Sequence, residues 1–178
     1  MPEIEVRPAI ATDLPYLMAI DHRYRTEYVW QMDLQIDPAE INLKFRKTRL
    51  PRAVRHDYPR NHERLADEWT HRSGLLVALH DGKPMGYISL MVGVIPDTTL
   101  VTDLAVVLHL RRQGIGTAMV RASILWGKKL GLRRLMVTLQ TKNYPGIHFC
   151  EKHGYVFSGF NDHYYPNGDI ALFFTLRI

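Results

Sequence analysis

Residues 101–132, VTDLAVVLHLRRQGIGTAMVRASILWGKKLGL, carry an apolar β-type run into a long helical pattern through the junction RRQGIG. A strand that feeds a helix this way sets the end of a sheet strand beside the start of a helix, which demands a layered α/β architecture. The helical pattern begins right after the two glycines. Its first N–H groups therefore have no partner within the helix, and the positive end of its dipole faces whatever lies over the loop. Glycine lets backbone amides approach an anion closely, and Arg111 and Arg112 add positive charge. Gly114 and Gly116 thus read as part of a pyrophosphate cradle. Two better-known phosphate motifs do not fit. A Walker loop needs Gly-Lys-Ser/Thr after its spacer, and none follows. A dinucleotide G-x-G-x-x-G needs a third glycine where Met119 stands, and an acid about 20 residues on, where RRL opens the next strand. On these residues alone a plain strand-to-helix turn, with glycine relieving crowding, also stays open.

The pattern around this junction is mixed. IEVRPAI (4–10) alternates as a strand, and TDLPYLMAIDHRYRTEY follows as a helix with Thr12 at its N-cap, Pro15 early, and Leu14, Leu17, Met18 and Ile20 on one stripe. Prolines 38, 51 and 59 interrupt residues 31–60, which are expected to form short helices and loops, and 61–72 a further short helix. LLVALHDGKPMGYISLMVG is a hairpin around Asp81-Gly82, and TTLVTDLAVV a third strand. Thr117–Leu130 is helical up to Gly131, RRLMVTLQ a strand, and PGIHFCEKH a short helix between Pro145 and Gly154. YVFSGF and DIALFFTLRI close the chain around NDHYYPNG. The fold class is mixed α/β (α+β): one domain over 1–178 with a central mixed sheet flanked by helices.

Composition narrows the function. The chain has 178 residues, 46% of them apolar, with no run near the roughly 20 apolar residues of a bilayer span. The first residues lack the plan of a secretory leader, so a soluble, cytoplasmic protein is the expectation. A single cysteine, Cys150, rules out an internal disulfide framework, and the nine histidines show no H-E-x-x-H spacing, so no metal is expected. Much of the net charge of +5 lies in KFRKTRLPRAVRHDYPRNHERL (44–65). Without interleaved aromatics this reads as a solvated segment rather than a nucleic-acid surface.

Arg111-x-x-Gly114-x-Gly116 after LAV resembles the coenzyme A signature of the GNAT N-acetyltransferase superfamily. The resemblance extends through IEVRPAIATDL, LLVALHDGKPMGYISL, VTDLAVV and NYPGIHFCEKHGY in the family's order, leaving 31–72 least matched. It implies a sheet splayed between TDLAVV and RRLMVTLQ, with 101–155 as the CoA-binding core. The pantetheine arm would lie in the opening against Leu104, Ala105, Val106 and Val107. The pyrophosphate would rest on the amides of Arg112, Gln113, Gly114, Ile115, Gly116 and Thr117 beside Arg111, and Asn143 would contact the arm. The implied co-substrate is acetyl-CoA. The implied acceptor is the primary amine of a small molecule or peptide, and a homodimer is a common assembly among similar proteins.

Acetyl transfer to an amine needs a neutral amine, a polarised thioester carbonyl, attack geometry and a proton for the leaving thiolate. Many relatives supply that proton from a tyrosine seven residues after the asparagine; here that position is Cys150. Cys150 donating, one of Tyr144, Tyr164 and Tyr165 replacing it, or solvent are the open accounts, beside a purely packing role for the thiol. Asp103 is the candidate to accept or relay the ammonium proton, since Thr138, at another base position of some relatives, cannot serve. His109, His148 and His153 titrate in a useful range, but no spacing singles one out. The acceptor walls are expected from 161–168 and 31–72, whose arginines would suit a carboxylate-bearing acceptor. The competing function is a CoA-binding module with little or no catalysis. Gly114→Glu sets bulk and negative charge where phosphates would rest. It is expected to abolish CoA binding in titration calorimetry while the far-UV spectrum stays native; unchanged affinity would remove the cradle.

Overall fold

The computed structural model describes residues 4–178. β1 (Glu5–Pro8) is followed by α1 (Leu14–Met18), then β2 (Tyr24–Asp37) and β3 (Glu40–His56), the one-turn α2 (Leu65–Glu68), β4 (Gly74–His80), β5 (Lys83–Met91) and β6 (Thr98–Val106). Next come α3 (Ile115–Lys129), β7 (Arg134–Gln140), α4 (Tyr144–Lys152), β8 (Val156–Asn161) and β9 (Ala171–Arg177). Seven strands form one sheet in the order β1-β4-β5-β6-β7-β9-β8, while β2 and β3 pair only with each other. Every neighbouring pair in the large sheet is antiparallel except β6 and β7.

β4 is apolar on both faces, and both are covered. Leu75, Val77 and Leu79 turn toward Leu14 and Leu17 of α1 and Leu65 of α2. Leu76 and Ala78 turn toward Met119 and Val120 of α3 and Ile147 of α4. The α/β class and the helices at 115–129 and 144–152 agree with the sequence pattern. Gly131, with φ +73°, stops α3: Leu132 donates its N–H to Gly127 and Gly131 to Lys128, both at 3.0 Å, a Schellman closure. Asp81 and Gly82, with φ of +49° and +72°, make the expected hairpin turn between β4 and β5.

Two expectations are overturned. Residues 31–60 are not short helices and loops but most of a long hairpin arm, with strands of 14 and 17 residues. Its prolines sit where a sheet tolerates them. Pro38 lies in the turn between Asp37 and Glu40, and Pro51 in a bulge between the pairs Thr26–Val54 and Tyr28–Arg49. The overlooked signal is strict alternation, Trp30-Gln-Met32-Asp-Leu34-Gln-Ile36 answered by Ile41-Asn-Leu43-Lys-Phe45. The first helix is also shorter than expected, ending at Met18, with Tyr24 already in β2. Its start is organised by Asp13 rather than Thr12. The Asp13 carboxylate accepts the Ile10 N–H at 2.9 Å and both Arg7 guanidinium nitrogens at 2.8 and 3.0 Å.

Gly86 of β5 is required by space. A Cβ there would lie 2.7 Å from the Ala105 carbonyl oxygen and 3.2 Å from the Met119 methyl. Gly86→Ala is expected to destabilise the fold by about 1–3 kcal/mol through overpacking against β6, measured as a lowered urea midpoint at unchanged m-value.

Candidate active site

The parallel pair β6–β7 runs only from Thr98 to Val101 against Arg134 to Val137. Beyond it the strands part, β6 staying with β5 and β7 with β9, so residues 102–106 present a backbone edge toward the opening that has no strand partner. The break coincides with a bulge: Leu90 opposes Val101 and Ser89 opposes Asp103, leaving Thr102 as the extra residue. A bulge of this kind redirects side chains and ends pairing.

The segment leaving β3 fills one end of the opening. Tyr58 donates its hydroxyl to the Asp103 carboxylate, and Arg60 donates to the Thr102 carbonyl and stands 3.7 Å from Asp103. The Arg60 guanidinium also lies 5.6 Å over the Tyr165 ring. Asp103 is buried, so its charge is held by a hydrogen bond and an ion pair together. Burial raises the Tyr58 pKa, and Asp103 raises it further, so the hydroxyl stays protonated and donates. For Arg60, burial opposes the charge, but the neighbouring Tyr58 and Asp103 override it and raise its pKa. Tyr165 comes from the loop before β9. It is buried, its pKa is raised by that burial, and its hydroxyl meets Thr138 of β7. The sequence singles out Asp103 and offers Tyr165 as one of three alternatives; Tyr58 and Arg60 lie within 31–72, where no motif marks them. Tyr144 lies elsewhere, packed on Tyr28 and His148, and Tyr164 sits on Phe173.

Behind Tyr58 lies a pocket of about 470 Å³ lined by His22, Arg60, His62, Glu63 and Asp57 among others. His22 contacts the Ile20 carbonyl through Nδ1 at 2.7 Å and the Tyr87 hydroxyl through Nε2 at 2.8 Å. The arginines expected to favour an acidic acceptor are largely neutralised. Arg46 pairs with Asp33, Arg55 with Asp21, Arg60 with Asp103 and Arg64 with Glu68, whereas Asp57 and Glu63 at the pocket have no ion-pair partner among the described residues. No group of three or more His, Cys, Asp or Glu among the described residues is arranged to hold a metal ion.

At the far end of β6 the loop turns through Arg112, with φ +65°, and Gly114, with φ +93°, into α3. The first helical bond runs from the Ala118 N–H to the Gly114 carbonyl at 3.0 Å, so the amides of Ile115, Gly116 and Thr117 precede any helical partner. The two glycines act differently. A Cβ on Gly114 would meet nothing within 4 Å, so its requirement is the left-handed backbone, whereas one on Gly116 would lie 3.3 Å from the Phe149 ring. Gln113 is tied back by its side chain to the His109 carbonyl at 3.1 Å. The Arg111 side chain does not add charge to the cradle. It turns inward, donating Nε to the Val106 carbonyl at 2.9 Å and its terminal nitrogens to the Arg23 and Asp21 carbonyls. It fixes the loop's position, while Arg112 is exposed and makes no ion pair among the described residues. The Thr117 hydroxyl meets His153 Nε2 at 2.9 Å, and the Asn143 carboxamide caps α4 by accepting the Gly146 N–H at 3.0 Å.

These features fit a CoA thioester: an anion cradle, an unpaired strand edge running from it, and an acid-base group at the other end. The family model for GNAT acetyltransferases matches residues 42–155. The chain belongs to the GNAT acetyltransferase family. Streptothricin acetyltransferase A of Bacillus subtilis (strain 168) is 32% identical over 82 residues, 44% of this chain and 47% of that protein, so the match spans about half of the relative. The crystal structure of nourseothricin acetyltransferase superposes with a TM-score of 0.82 at 18% identity, covering 98% of each chain. A protein of Bacillus anthracis str. Ames, solved in complex with acetyl coenzyme A, gives 0.77 at 18% identity over 99% of this chain and 100% of its own. At these identities the two structures speak for the fold. In this GNAT chain, Cys150 does not occupy the opening. It belongs to the core cluster with Ile147, and burial pushes its thiol pKa up to about 12.

Burial lowers the His22 pKa to about 4, with His62 adding to the shift. The native state therefore keeps the ring neutral while the unfolded chain protonates it near 6.5, so stability rises with pH between about 4 and 6.5. Between pH 7 and pH 5, wild type is expected to lose about 2 kcal/mol in urea denaturation, and His22→Gln less. Equal losses in both proteins would remove His22 as the cause.

Proposed function

We propose that this chain transfers the acetyl group of acetyl-CoA to a primary amine of a small molecule by direct attack. The observation that carries the reading is the continuity of the amide cradle at the start of α3 with the unpaired edge of β6, which ends at Tyr58, Asp103 and Arg60. The N–H groups of 112–117 would hold the diphosphate, and the freed edge of Leu104–Val107 would take the amide-bearing arm as an added strand does. Acetyl-CoA supplies an activated thioester carbonyl. Backbone N–H groups at the bulge would polarise that carbonyl. Asp103, already engaged by Tyr58 and Arg60, acts better as an electrostatic anchor for the incoming ammonium than as the final proton acceptor. The amine's proton would leave through the open pocket beside His62. The buried, protonated hydroxyl of Tyr165 is the donor for the leaving thiolate, in place of Cys150.

The pocket of about 470 Å³ has the size of a small-molecule site. Its unpaired Asp57 and Glu63 suit an amine-bearing, cationic acceptor. Streptothricin, the substrate named for the Bacillus subtilis relative, is therefore the first acceptor to try, with a peptide amine as the comparison. The sealed position of Cys150 favours one competing reading, a CoA-binding module without turnover. Thiol release from acetyl-CoA across an amine panel separates the two, since tight CoA binding with no turnover on any acceptor would overturn the enzyme.

Given turnover, Tyr165→Phe is expected to lower kcat by about 10²-fold or more with CoA affinity unchanged, and to flatten the alkaline side of the pH profile. Cys150→Ala is expected to keep kcat while lowering stability by about 1–2 kcal/mol for the lost core sulfur. The reverse pattern would return the proton to the thiol.

A further inference from the structure

Two histidines share the pocket behind Tyr58, and they differ in what their ring nitrogens already hold. The Ile20 carbonyl can only accept, so His22 Nδ1 carries the proton and donates at 2.7 Å. Nε2 is then the bare nitrogen, and the Tyr87 hydroxyl donates to it at 2.8 Å. With both nitrogens engaged and its pKa lowered by burial to about 4, His22 cannot take a further proton near neutral pH. His62 stacks on it, ring centroids 4.1 Å apart at 32°, and makes no side-chain hydrogen bond or ion pair among the described residues. Local sequence puts it there. Asn61 caps the short turn His62–Arg64 by accepting the Glu63 N–H at 3.0 Å, and Leu65 of α2 anchors that turn in the core. His22 also lies 5.0 Å from the ring of Tyr58, whose hydroxyl is on Asp103, so His62 stands one ring beyond the buried carboxylate.

We infer that His62 is the base that takes the proton of the bound ammonium, with His22 as the neutral platform under its ring; this rests on the acetyl-transfer reading above. The other candidates at the pocket serve less well. Asp103 already accepts from Tyr58 and pairs with Arg60. Asp57 and Glu63 are exposed carboxylates, and carboxylates as a class hold a proton roughly 100-fold more weakly than imidazole. They attract a cationic amine without drawing its proton, whereas an imidazole is matched to both accepting and releasing one near neutral pH. The charges that line the pocket with His62 are Asp21, Asp57 and Glu63 against Arg23 and Arg60, with His22 neutral, so a protonated His62 brings that lining to balance. In the reaction, His62 takes one proton from the ammonium and passes it to the solvent of the open pocket. The neutral nitrogen bonds to the thioester carbon and the carbon–sulfur bond breaks. The second proton lost from nitrogen replaces the one that Tyr165 gives the sulfur.

The test follows thiol release from acetyl-CoA with streptothricin, and with the amine panel if that acceptor is inert. His62→Gln is expected to keep the native far-UV spectrum and the CoA affinity while lowering kcat at pH 7 by about 10²-fold or more. Wild type is expected to level off above the imidazole range, near about pH 7. The variant is expected to keep climbing as the amine loses its proton in solution, so that its deficit narrows at least about tenfold by about pH 9.5. Free imidazole is expected to restore His62→Ala in proportion to its concentration, which a merely structural loss would not allow. A wild type that turns over, with His62→Gln within about threefold of it, removes this assignment and leaves the acetyl-transfer reading standing. A deficit equal at every pH and untouched by imidazole does the same. No wild-type turnover on any amine removes both.

Discussion

The parting of β6 from β7 is the constraint on which the rest of this molecule depends. Ending a parallel ladder inside a sheet leaves carbonyls and amides without partners, a cost that a fold accepts only where something replaces them. Here the Thr102 bulge breaks the register, Arg60 and Tyr58 take the Thr102 carbonyl and the Asp103 carboxylate, and the remaining edge stays open. The opening is therefore held at one end by a buried ion pair. At the other it is held by a helix N-terminus whose loop Arg111 pins to the Asp21–Arg23 segment.

The hairpin arm links these parts. Its base is tied to the sheet by the Tyr24 hydroxyl on the Gln140 side-chain oxygen at 2.7 Å and by the Trp30 N–H on the Thr141 carbonyl at 2.9 Å. Its return delivers Tyr58 and Arg60 to the bulge. One insertion between the first helix and the central strands thus supplies the partners of Asp103 and, through Asp57, Tyr58 and Arg60, part of the wall of the neighbouring pocket. Cores in this fold tolerate little: Gly86, Gly116, Gly127 and Gly146 each stand where a Cβ would come within 3.3 Å of a neighbour, so strands and helices approach closely on both sides of the opening.

Legibility in the sequence followed the range of the interactions. The Asp81-Gly82 turn, the Gly131 stop and the Asn143–Pro145 start of α4 are local, each set by backbone preferences within a few residues. The glycine junction was likewise readable, because a left-handed residue before a helix exposes amides whatever lies around it. The arm is obscured in the sequence because prolines 38, 51 and 59 break helices as readily as they sit in turns and bulges, so only the alternation from Trp30 to Phe45 marks its strands. Arg111 was expected to face phosphate because adjacency to the cradle said nothing about the carbonyls of residues 21 and 23 waiting behind it.

By itself the sequence determined the mixed α/β order, the glycine junction that opens α3 and the family resemblance, all of which rest on short-range periodicity and turn chemistry. The tertiary structure alone decided that Cys150 is sealed in the core while the Tyr165 ring lies under the Arg60 guanidinium. It also decided that Tyr58 and Arg60 close on Asp103 from more than 40 residues away, and that four arginines of the basic segment, Arg46, Arg55, Arg60 and Arg64, stand in ion pairs. Those outcomes depend on which distant groups burial brings into contact, and the energy of a buried charge is settled by its neighbours in space rather than along the chain.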